Sequence, residues 1–495
     1  MTGAGTLVLA TIVPLIGALP IALSGAKPNL REAFTLVTAA ILFLLVVSLV
    51  PEVLAGGRPA TEAWTVLPGL ELRLTLEPLG MIFALVASSL WIVTSVYAIG
   101  YMRGNQEPRQ TSFYVFFALS IAATIGVAFA GNLFTLFLFY ELLTLSTYPL
   151  VTHKRDVEAL RAGRTYLLIL MGGSLLLFMT AIVWVYLATG RLDFESGGIL
   201  GDAFDTFQTG VLLALFVFGI GKAAVMPMHR WLPAAMVAPT PVSALLHAVA
   251  VVKAGVFCIV KVAVYVIGIE RLAATGAGDW LAYVAGATVI IASLIALVQD
   301  NLKRRLAYST ISQLSYVVLA LSVFTPLAVT AAALHIAAHA FGKITLFFAA
   351  GSIYTAAHKT QVSELDGIGR RMPWTMTAFT IGALSMIGVP PAIGFVSKWF
   401  MVSAAFAAHH DFVLGVIVLS TLLNAAYFMP IVHAAFLKPE AAAVHGHNTG
   451  HDHHGHGEAP WPIVLALAVT AAGTILLFLL PSLPLHLARQ LAGLL

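Results

Sequence analysis

The sequence is poor in charged residues and nearly without cysteine. Charged residues occupy 10% of the 495 positions, against about a quarter in an average soluble domain. That number is too small to cover the surface of a water-soluble protein of this length. The single cysteine, Cys258, excludes disulfide bonds within the chain and iron–sulfur clusters with cysteine ligands. The net charge of +4 is too small and too scattered to indicate nucleic-acid binding.

Hydrophobic residues, in contrast, make up 60% of the chain, and the mean hydropathy is +0.94. Apolar runs of about 20 residues recur from end to end, each long enough to cross a hydrocarbon core of about 30 Å. We therefore predict an all-α, polytopic membrane protein of about fourteen transmembrane helices, numbered spans 1 to 14. The predicted spans are 5–24, 33–55, 78–101, 112–131, 132–151, 164–188, 209–237, 242–268, 280–299, 307–325, 327–354, 375–404, 411–437 and 461–484.

Spans 7 and 12 are long and contain prolines, at Met226-Pro227 and Leu232-Pro233 in one and at Pro390-Pro391 in the other. Proline removes a backbone donor and clashes with the preceding turn, so both helices should be broken. Each also carries a lysine, Lys222 or Lys398. Paired interrupted helices at corresponding positions are typical of inverted repeats, which predicts that spans 4 to 8 and spans 9 to 13 are two such units.

The predicted organisation has five parts along the chain. These are spans 1 to 3 (1–111), a first five-helix repeat (112–268), a second, inverted five-helix repeat (280–437), a His-rich cytoplasmic loop (438–460), and a final span with a tail (461–495).

The distribution of basic residues predicts the orientation. Fifteen Lys and Arg follow odd-numbered spans, whereas the loops after even-numbered spans hold four, namely Arg58, Arg73, Arg191 and Arg271. Basic loops stay in the cytoplasm. We therefore expect odd-numbered loops inside, both termini outside, and a location in the inner (plasma) membrane.

Six ionisable residues lie inside the predicted spans: Glu141, Lys222, Lys253, Lys261, Lys343 and Lys398. A charge at the bilayer centre costs about 2.5–3.5 kcal/mol, so together they cost roughly 15–20 kcal/mol, which indicates a function. The favoured interpretation for Lys261, near the end of its span, is that its side chain reaches the membrane interface. For Lys343 that alternative stays open.

These residue types suit proton transfer. Burial favours the neutral form of a lysine and of a carboxylate, and an opposite charge about 4 Å away restores the charged form. His335, His339 and Lys343 follow an i, i+4, i+8 spacing on one helix face, and His247 precedes Lys253 on span 8. We predict a proton relay through these groups, with His247 and Lys343 in secondary roles.

A haem with two histidine ligands is the rival explanation for the histidines. Residues on one helix face cannot bind opposite sides of one iron, so it would need His247 or another helix. The expectation is therefore no cofactor and no metal in the spans.

A second histidine cluster lies before span 14 and is a weak candidate for metal binding: His445, His447, His451, His453, His454 and His456. The favoured interpretation is a solvated linker, and a metal or pH sensor is the alternative.

Several stretches resemble a known family. They are Phe139-Tyr-Glu-Leu142, Gly221-Lys-Ala-Ala-Val-Met-Pro-Met-His-Arg-Trp-Leu-Pro233, Ala238-Pro-Thr-Pro-Val-Ser-Ala-Leu-Leu-His-Ala248 and Lys303-Arg-Arg-Leu-Ala-Tyr-Ser-Thr-Ile-Ser312. With the two broken helices they resemble, over roughly residues 70–435, the proton-translocating, antiporter-like subunits of Mrp-type cation/proton antiporters, respiratory complex I and membrane-bound hydrogenases.

The resemblance implies a role for each matching residue. Glu141 matches the glutamate of span 5 and Lys222 its partner beside the break. Lys253 matches the central lysine, His335 and His339 the relay of span 11, and Lys398 the exit residue.

The resemblance also narrows the type of subunit. Lys398 stands where the M-type subunit of complex I usually has glutamate, and the chain stops soon after span 14, where the L-type continues into a long helix. The D-type subunit of Mrp antiporters and the N-type subunit of complex I remain, and overall likeness favours the D-type of the Mrp antiporters.

The resemblance implies a proton-conducting subunit of a multisubunit Na⁺/proton antiporter, with other subunits, protons, Na⁺ and lipid as partners. The alternative is a proton-pumping subunit of a complex I-like NADH:quinone oxidoreductase or a membrane-bound hydrogenase. A channel or scaffold would not need alternating acid, base and histidine groups. No redox or hydrolytic chemistry is expected on this chain. Glu141 is the one carboxylate expected deep in the membrane, so Na⁺ should cross elsewhere in the complex or at an interface with this chain.

The orientation can be tested with a reporter that is active only in the cytoplasm. Fused after residue 495, it should stay silent because the basic loops hold the other face inside. The same reporter placed in the loop after span 9 is the positive control, and a strong signal at residue 495 would reverse the assignment.

Overall fold

The structure is a computed structural model that describes residues 2–67, 69–439 and 457–495, without the side chains of 246 and 247. The described chain is almost entirely helical. Its one sheet is a hairpin of two antiparallel strands, β1 (Trp64–Leu67) and β2 (Leu70–Leu72), in the loop between spans 2 and 3. The prediction of an all-α polytopic membrane protein is confirmed.

A helix lies at each of the fourteen predicted positions. The unbroken ones are Gly3–Leu23, Pro28–Ser48, Pro78–Gly104, Gln110–Ala128, Leu133–Val151, Val157–Thr189, Trp280–Val298, Leu302–Leu321, Pro326–Ala357, Asp411–Leu437 and Trp461–Leu479. Span 8 consists of Thr240–Ala244, Leu245–Val249, Val251–Val262 and Ala263–Ile267. Val50–Leu54 continues span 2. Shorter helices outside the spans are Gly201–Ala203, Ile269–Thr275, Val362–Glu364, Ile368–Arg371 and Ser482–Leu491.

Fewer than fourteen helices have the length and apolar composition of a membrane span. Within the described ranges ten do, and an eleventh results if Val251–Ile267 and Ile269–Thr275, bent by 77°, count as one. Spans 7 and 12 fall short because their longest helices have 14 and 15 residues. Span 10 also falls short, because Lys303, Arg304 and Arg305 lie in its first turn.

Both predicted breaks are present. Span 7 runs as Thr206–Gly219, Gly221–Ala223, Trp231–Ala234 and Ala235–Val237, and span 12 as Pro373–Ile387 and Ile393–Ala407. Trp231 Nε1 donates a hydrogen bond of 3.0 Å to the carbonyl of Gly221, which also accepts from the backbone of Ala224. At the second break Gly388 has a φ of 89°, a conformation that favours glycine. A tryptophan side chain thus bonds to the backbone at the first break, and a glycine conformation that few other residues adopt forms the second.

Span 11 lies at the centre of the molecule. Its 32 residues begin at a side-chain cap, Thr325, whose hydroxyl accepts from the backbone of Ala328. Its most apolar stretch is 94% buried, so it faces protein rather than lipid. Spans 3, 10, 12 and 14 pack against it, which places His335, His339 and Lys343 in the protein interior.

Span 8 approaches the break of span 7 very closely. A Cβ added at Gly255 would overlap the backbone of Lys222 and Ala223. Only glycine fits this contact without moving one of the two helices.

Replacing Gly255 with valine should lower the free energy of unfolding by about 1–3 kcal/mol, as overpacking does elsewhere. The measurement is the melting temperature of the purified protein in detergent. Gly172→Val in span 6 is the matched control, because an added Cβ there meets nothing within 4 Å. Equal melting of both variants would mean that the contact is loose.

Candidate functional site

Lys222 lies in the short turn Gly221–Ala223 at the first break and is fully buried. Its Nζ donates to the carbonyl of Tyr140 at 2.8 Å and to Thr144 Oγ1 at 2.5 Å. It also lies 3.2 Å from the centroid of the Tyr140 ring. Tyr140 and Thr144 are one turn apart on span 5 and share a face, so that face of span 5 holds the ammonium group.

Glu141 is not in contact with Lys222, contrary to the direct pair inferred from the sequence. It follows Tyr140 on span 5 and therefore points about 100° away round the helix. Both of its carboxylate oxygens are buried, and neither has a hydrogen-bond partner in the described chain. The two charges still interact electrostatically. Glu141 is thus a buried acceptor whose partner is missing from the described residues.

Lys253 on span 8 contacts span 11 directly. Its Nζ is hydrogen-bonded to His339 Nδ1, and both side chains are buried. One turn before His339, the His335 ring is stacked on the His339 ring, with centroids 6.1 Å apart and planes 13° from parallel. The structure therefore places three of the predicted residues in one line: Lys253 from span 8, and His339 and His335 from span 11.

The line continues from His335 to the second break. His335 Nδ1 is 2.9 Å from Ser397 Oγ, and its Nε2 is 3.1 Å from Gln313 Oε1. Lys398 follows Ser397 and donates to the carbonyl of Ile387, the last residue before the break, at 2.9 Å. Its Nζ is also 3.4 Å from the Tyr316 hydroxyl. Gln313, Tyr316 and Ser397 were not predicted, since such residues in apolar helices usually bond to their own backbone.

Lys343 is completely buried, which excludes the open alternative that it reaches the interface. It donates to Ser309 Oγ at 2.7 Å, and the Tyr427 hydroxyl donates to the same oxygen at 3.0 Å. Lys343 therefore lies on a polar network of spans 10, 11 and 13, one turn of span 11 beyond His339.

The interpretation of Lys261 as an interfacial side chain is wrong. The side chain is 0% exposed, and its Nζ is 3.1 Å from Glu77 Oε2, whose own side chain is 2% exposed. The Nζ also donates to the carbonyl of Ala130 at 2.7 Å. Glu77 is therefore a second buried carboxylate besides Glu141, located at the start of span 3. Glu77 directly precedes the predicted span 3, so the sequence places it in a loop. A signal was nevertheless present, because a carboxylate next to a helix that starts with proline indicates a position at the helix N-terminus.

Two predicted features cannot be placed. The side chain of His247 and the histidine tract from His445 to His456 lie outside the described residues. Among the residues that are described, no group of three or more His, Cys, Asp or Glu could hold a metal ion.

A cavity of about 220 Å³ opens among the odd-numbered loops. Glu107, Lys154 and Lys303 line it, together with Tyr101 and Thr240. Burial raises the pKa of Glu107 above its usual value, although Lys154 and Lys303 counteract this. The cavity offers protonatable groups between the loops and span 8.

The two breaks have equivalent surroundings. Lys222 lies over the ring of Tyr140 on span 5, and Lys398 lies over the ring of Tyr316 on span 10, at 4.6 Å. Spans 5 and 10 are the second helices of the two predicted repeats. This correspondence is what an inverted repeat predicts.

The family described as NADH:quinone oxidoreductase/Mrp antiporter, TM, matches residues 130–424, more than half of the chain. The matched region contains the two breaks, Glu141, all five buried lysines and both relay histidines. The chain belongs to this family. It is a proton-translocating, antiporter-like subunit and a multi-pass membrane protein.

Relatives of this chain include a protein named as an oxidoreductase subunit and one named as an antiporter subunit. The NADH-quinone oxidoreductase subunit N of Desulforudis audaxviator (strain MP104C) is 33% identical over 396 residues, which cover 78% of this chain and 77% of the relative. The probable A/B subunit of a K(+)/H(+) antiporter from Rhizobium meliloti (strain 1021) is 32% identical over 375 residues, 75% of this chain and 37% of the relative.

Solved structures share the fold over 98% of this chain and 97% of theirs. One is a chain of the membrane-bound sulfane sulfur reductase, an archaeal respiratory membrane complex, with a TM-score of 0.85 and 24% identity. Another is a chain of the Mrp complex from Dietzia sp. DQ12-45-1b, with a TM-score of 0.81 and 22% identity.

Proposed function

We propose that this chain is the proton-conducting subunit of a multisubunit monovalent cation/proton antiporter, with Na⁺ as the exchanged cation. The observation that carries the proposal is the buried line from Lys253 through His339 and His335 to Lys398. Titratable groups in so apolar an interior are costly, and they mark proton paths in transporters. The antiporter relative from Rhizobium meliloti supports the choice of antiport.

Glu141 is the proposed control point. Its carboxylate has no partner among the described residues, and Leu138 and Leu142 beside it on span 5 are exposed. Leucines on a membrane span normally face lipid, so the carboxylate carries the argument: an ionisable group at this depth needs a partner, which a neighbouring protein of the complex can supply. A cationic group on that neighbour would compete with Lys222 for the charge of Glu141. Lys222 would then release its proton toward Lys253, because its carbonyl and hydroxyl partners carry no negative charge.

The central step is a transfer between Lys253 and His339. The ammonium group gives its proton to Nδ1 of the imidazole, so the charge moves from span 8 to span 11. The proton must then pass between the two stacked rings to His335, one helical turn away. Ser397 and Tyr316 connect His335 with Lys398, from which the proton leaves beside the second break. A break at membrane depth can admit water when it lines a wet cavity.

The proposed setting is a bacterial-type inner (plasma) membrane with both termini outside. Other subunits complete the complex, since both curated relatives are named as subunits. The described residues contain no group of three or more His, Cys, Asp or Glu side chains that could hold a metal ion, so the cation is proposed to cross elsewhere in the complex or at an interface.

A proton-pumping subunit of a complex I-like oxidoreductase is the second candidate. The identity with the relative from Desulforudis audaxviator, over most of both chains, favours it. The two candidates differ in their partners. Purification from native membranes, with mass spectrometry of the co-purified subunits, separates them: redox subunits would support the pump, and their absence with antiporter subunits present would support antiport.

Glu141→Gln and Lys222→Met should each reduce proton-coupled transport to the background of empty vesicles while the complex still assembles. The first removes the controlling charge, and the second removes the proton carrier. Transport is followed with a pH-sensitive dye in vesicles, and assembly by co-purification. Glu270→Gln, at an exposed carboxylate, is the control. Wild-type rates in either variant would mean that these two residues do not gate the path.

Lys398→Arg should also abolish transport although it keeps the positive charge. A guanidinium stays protonated in essentially any protein environment, so it cannot release the proton. Lys438→Arg, at an exposed ion pair with Asp366, is the matched control and should transport normally. An assembled and active Lys398→Arg variant would show that Lys398 supplies only an electrostatic field.

A further inference from the structure

The Glu77–Lys261 pair is a buried ionisable site that the proposed path does not use. Lys261 lies eight residues after Lys253 on span 8, about 12 Å along a helix axis. Its ammonium is held by the carboxylate of Glu77 and the carbonyl of Ala130, and it faces the rings of Phe194 and Phe257 at 4.5 and 5.4 Å. These partners differ from those of Lys253, which is bonded to span 11.

The pair lies at one end of the bundle. Glu77 directly precedes span 3, Ala130 lies in the connection between spans 4 and 5, and Lys261 is near the last turn of span 8. These positions belong to the even-numbered loops. The cavity at Glu107 belongs to the odd-numbered loops. The pair is therefore close to the membrane face opposite that cavity.

Further titratable groups lie near the pair, and one of them lies between it and the first break in sequence and in electrostatic range. Cys258, a buried thiol one turn before Lys261, interacts electrostatically with both Lys222 and Lys261. Around Glu77 the further charged or titratable groups are Arg58 and Tyr265. The Tyr265 hydroxyl is buried and has no hydrogen-bond partner in the part of the chain that the structure describes. Cys258 thus lies within electrostatic range of both lysines, and Arg58 and Tyr265 lie within electrostatic range of Glu77.

We propose that Glu77 and Lys261 form a second proton port, through which the first repeat exchanges protons with the membrane face opposite the Glu107 cavity. The inference rests on the proposed proton-conducting function and adds a port to it. In the transfer step the Lys261 ammonium gives one proton to the Glu77 carboxylate, which leaves an amine and a carboxylic acid. The pair has zero net charge before and after the step. The carboxylic acid then releases the proton to that face, and Lys261 is reprotonated from the side of Lys222.

A purely structural ion pair is the competing explanation, and a double variant separates the two. Removing one partner leaves a buried, uncompensated charge, whereas replacing both with neutral residues of similar volume is often neutral or stabilising. Glu77→Gln/Lys261→Met should therefore fold and assemble whichever explanation holds. A structural pair predicts wild-type proton flux in this variant, and a port predicts that the flux is lost.

The experiment uses the complete complex, reconstituted in vesicles and driven by an imposed pH gradient. Proton flux in the double variant should fall about 100-fold or more, since a positioned acid or base contributes about 10²–10⁴-fold. Glu62→Gln, an exposed carboxylate in the same loop region, is the control and should keep the wild-type flux. Unchanged flux in an assembled double variant would overturn the port.

Infrared difference spectroscopy gives a second readout that does not depend on transport. A change of external pH should alter the carbonyl band of a protonated carboxyl group, and the Glu77→Gln/Lys261→Met double variant should lack that band. Absence of the band in the wild type overturns the port even if the complex conducts protons. A wild type without proton flux but with the Glu77 band would contradict the proposed function and still support proton exchange at the pair.

Discussion

The structure depends on the constraint that a charge in the membrane interior needs a partner. Each buried lysine of the spans has at least one oxygen or nitrogen acceptor, and several of these acceptors are main-chain carbonyls: Tyr140 for Lys222, Ala130 for Lys261 and Ile387 for Lys398. The carbonyls of Ala130 and Ile387 lie at helix ends, where carbonyls lack a helical partner, whereas that of Tyr140 lies inside span 5. For Lys261 and Lys398, therefore, the interrupted backbone supplies the acceptor. Hydrogen bonds to charged groups contribute about 1.5–3 kcal/mol, enough to offset much of the burial cost of each lysine.

Span 11 collects these contacts into one line. Because it is enclosed by other helices, its histidines meet Lys253 from one side and the residues of span 12 from the other. The His335 and His339 rings differ from the remaining groups in the line because either nitrogen of an imidazole can bind or release a proton. The lysines on both sides of them are fixed by hydrogen bonds, so movement along the line falls to the histidine rings and to the hydroxyl groups of Ser397 and Tyr316.

Much of this could be predicted from the sequence, because hydropathy and proline positions act locally. All fourteen helical positions, the two breaks and the burial of Lys222, Lys253 and Lys398 followed from such local signals. The contacts between side chains of different helices could not be predicted from these local signals. The rotation of span 5 that turns Glu141 away from Lys222, and the approach of Glu77 to Lys261 from 184 positions away, depend on packing. Within the described residues ten or eleven of these helices have the length and composition of a membrane span, because the broken spans are divided into shorter helices.

Main-chain carbonyls as lysine partners have a consequence for how such a protein can evolve. A carbonyl oxygen is present whatever the side chain, so a point mutation at Tyr140, Ala130 or Ile387 leaves the acceptor in place. The position of each acceptor then depends on the conformation of the backbone, and the side chains around it are free to change. Proteins with few residues in common could thus keep the same arrangement of buried lysines and carbonyl acceptors, while their other side chains adapt to different partners and driving forces.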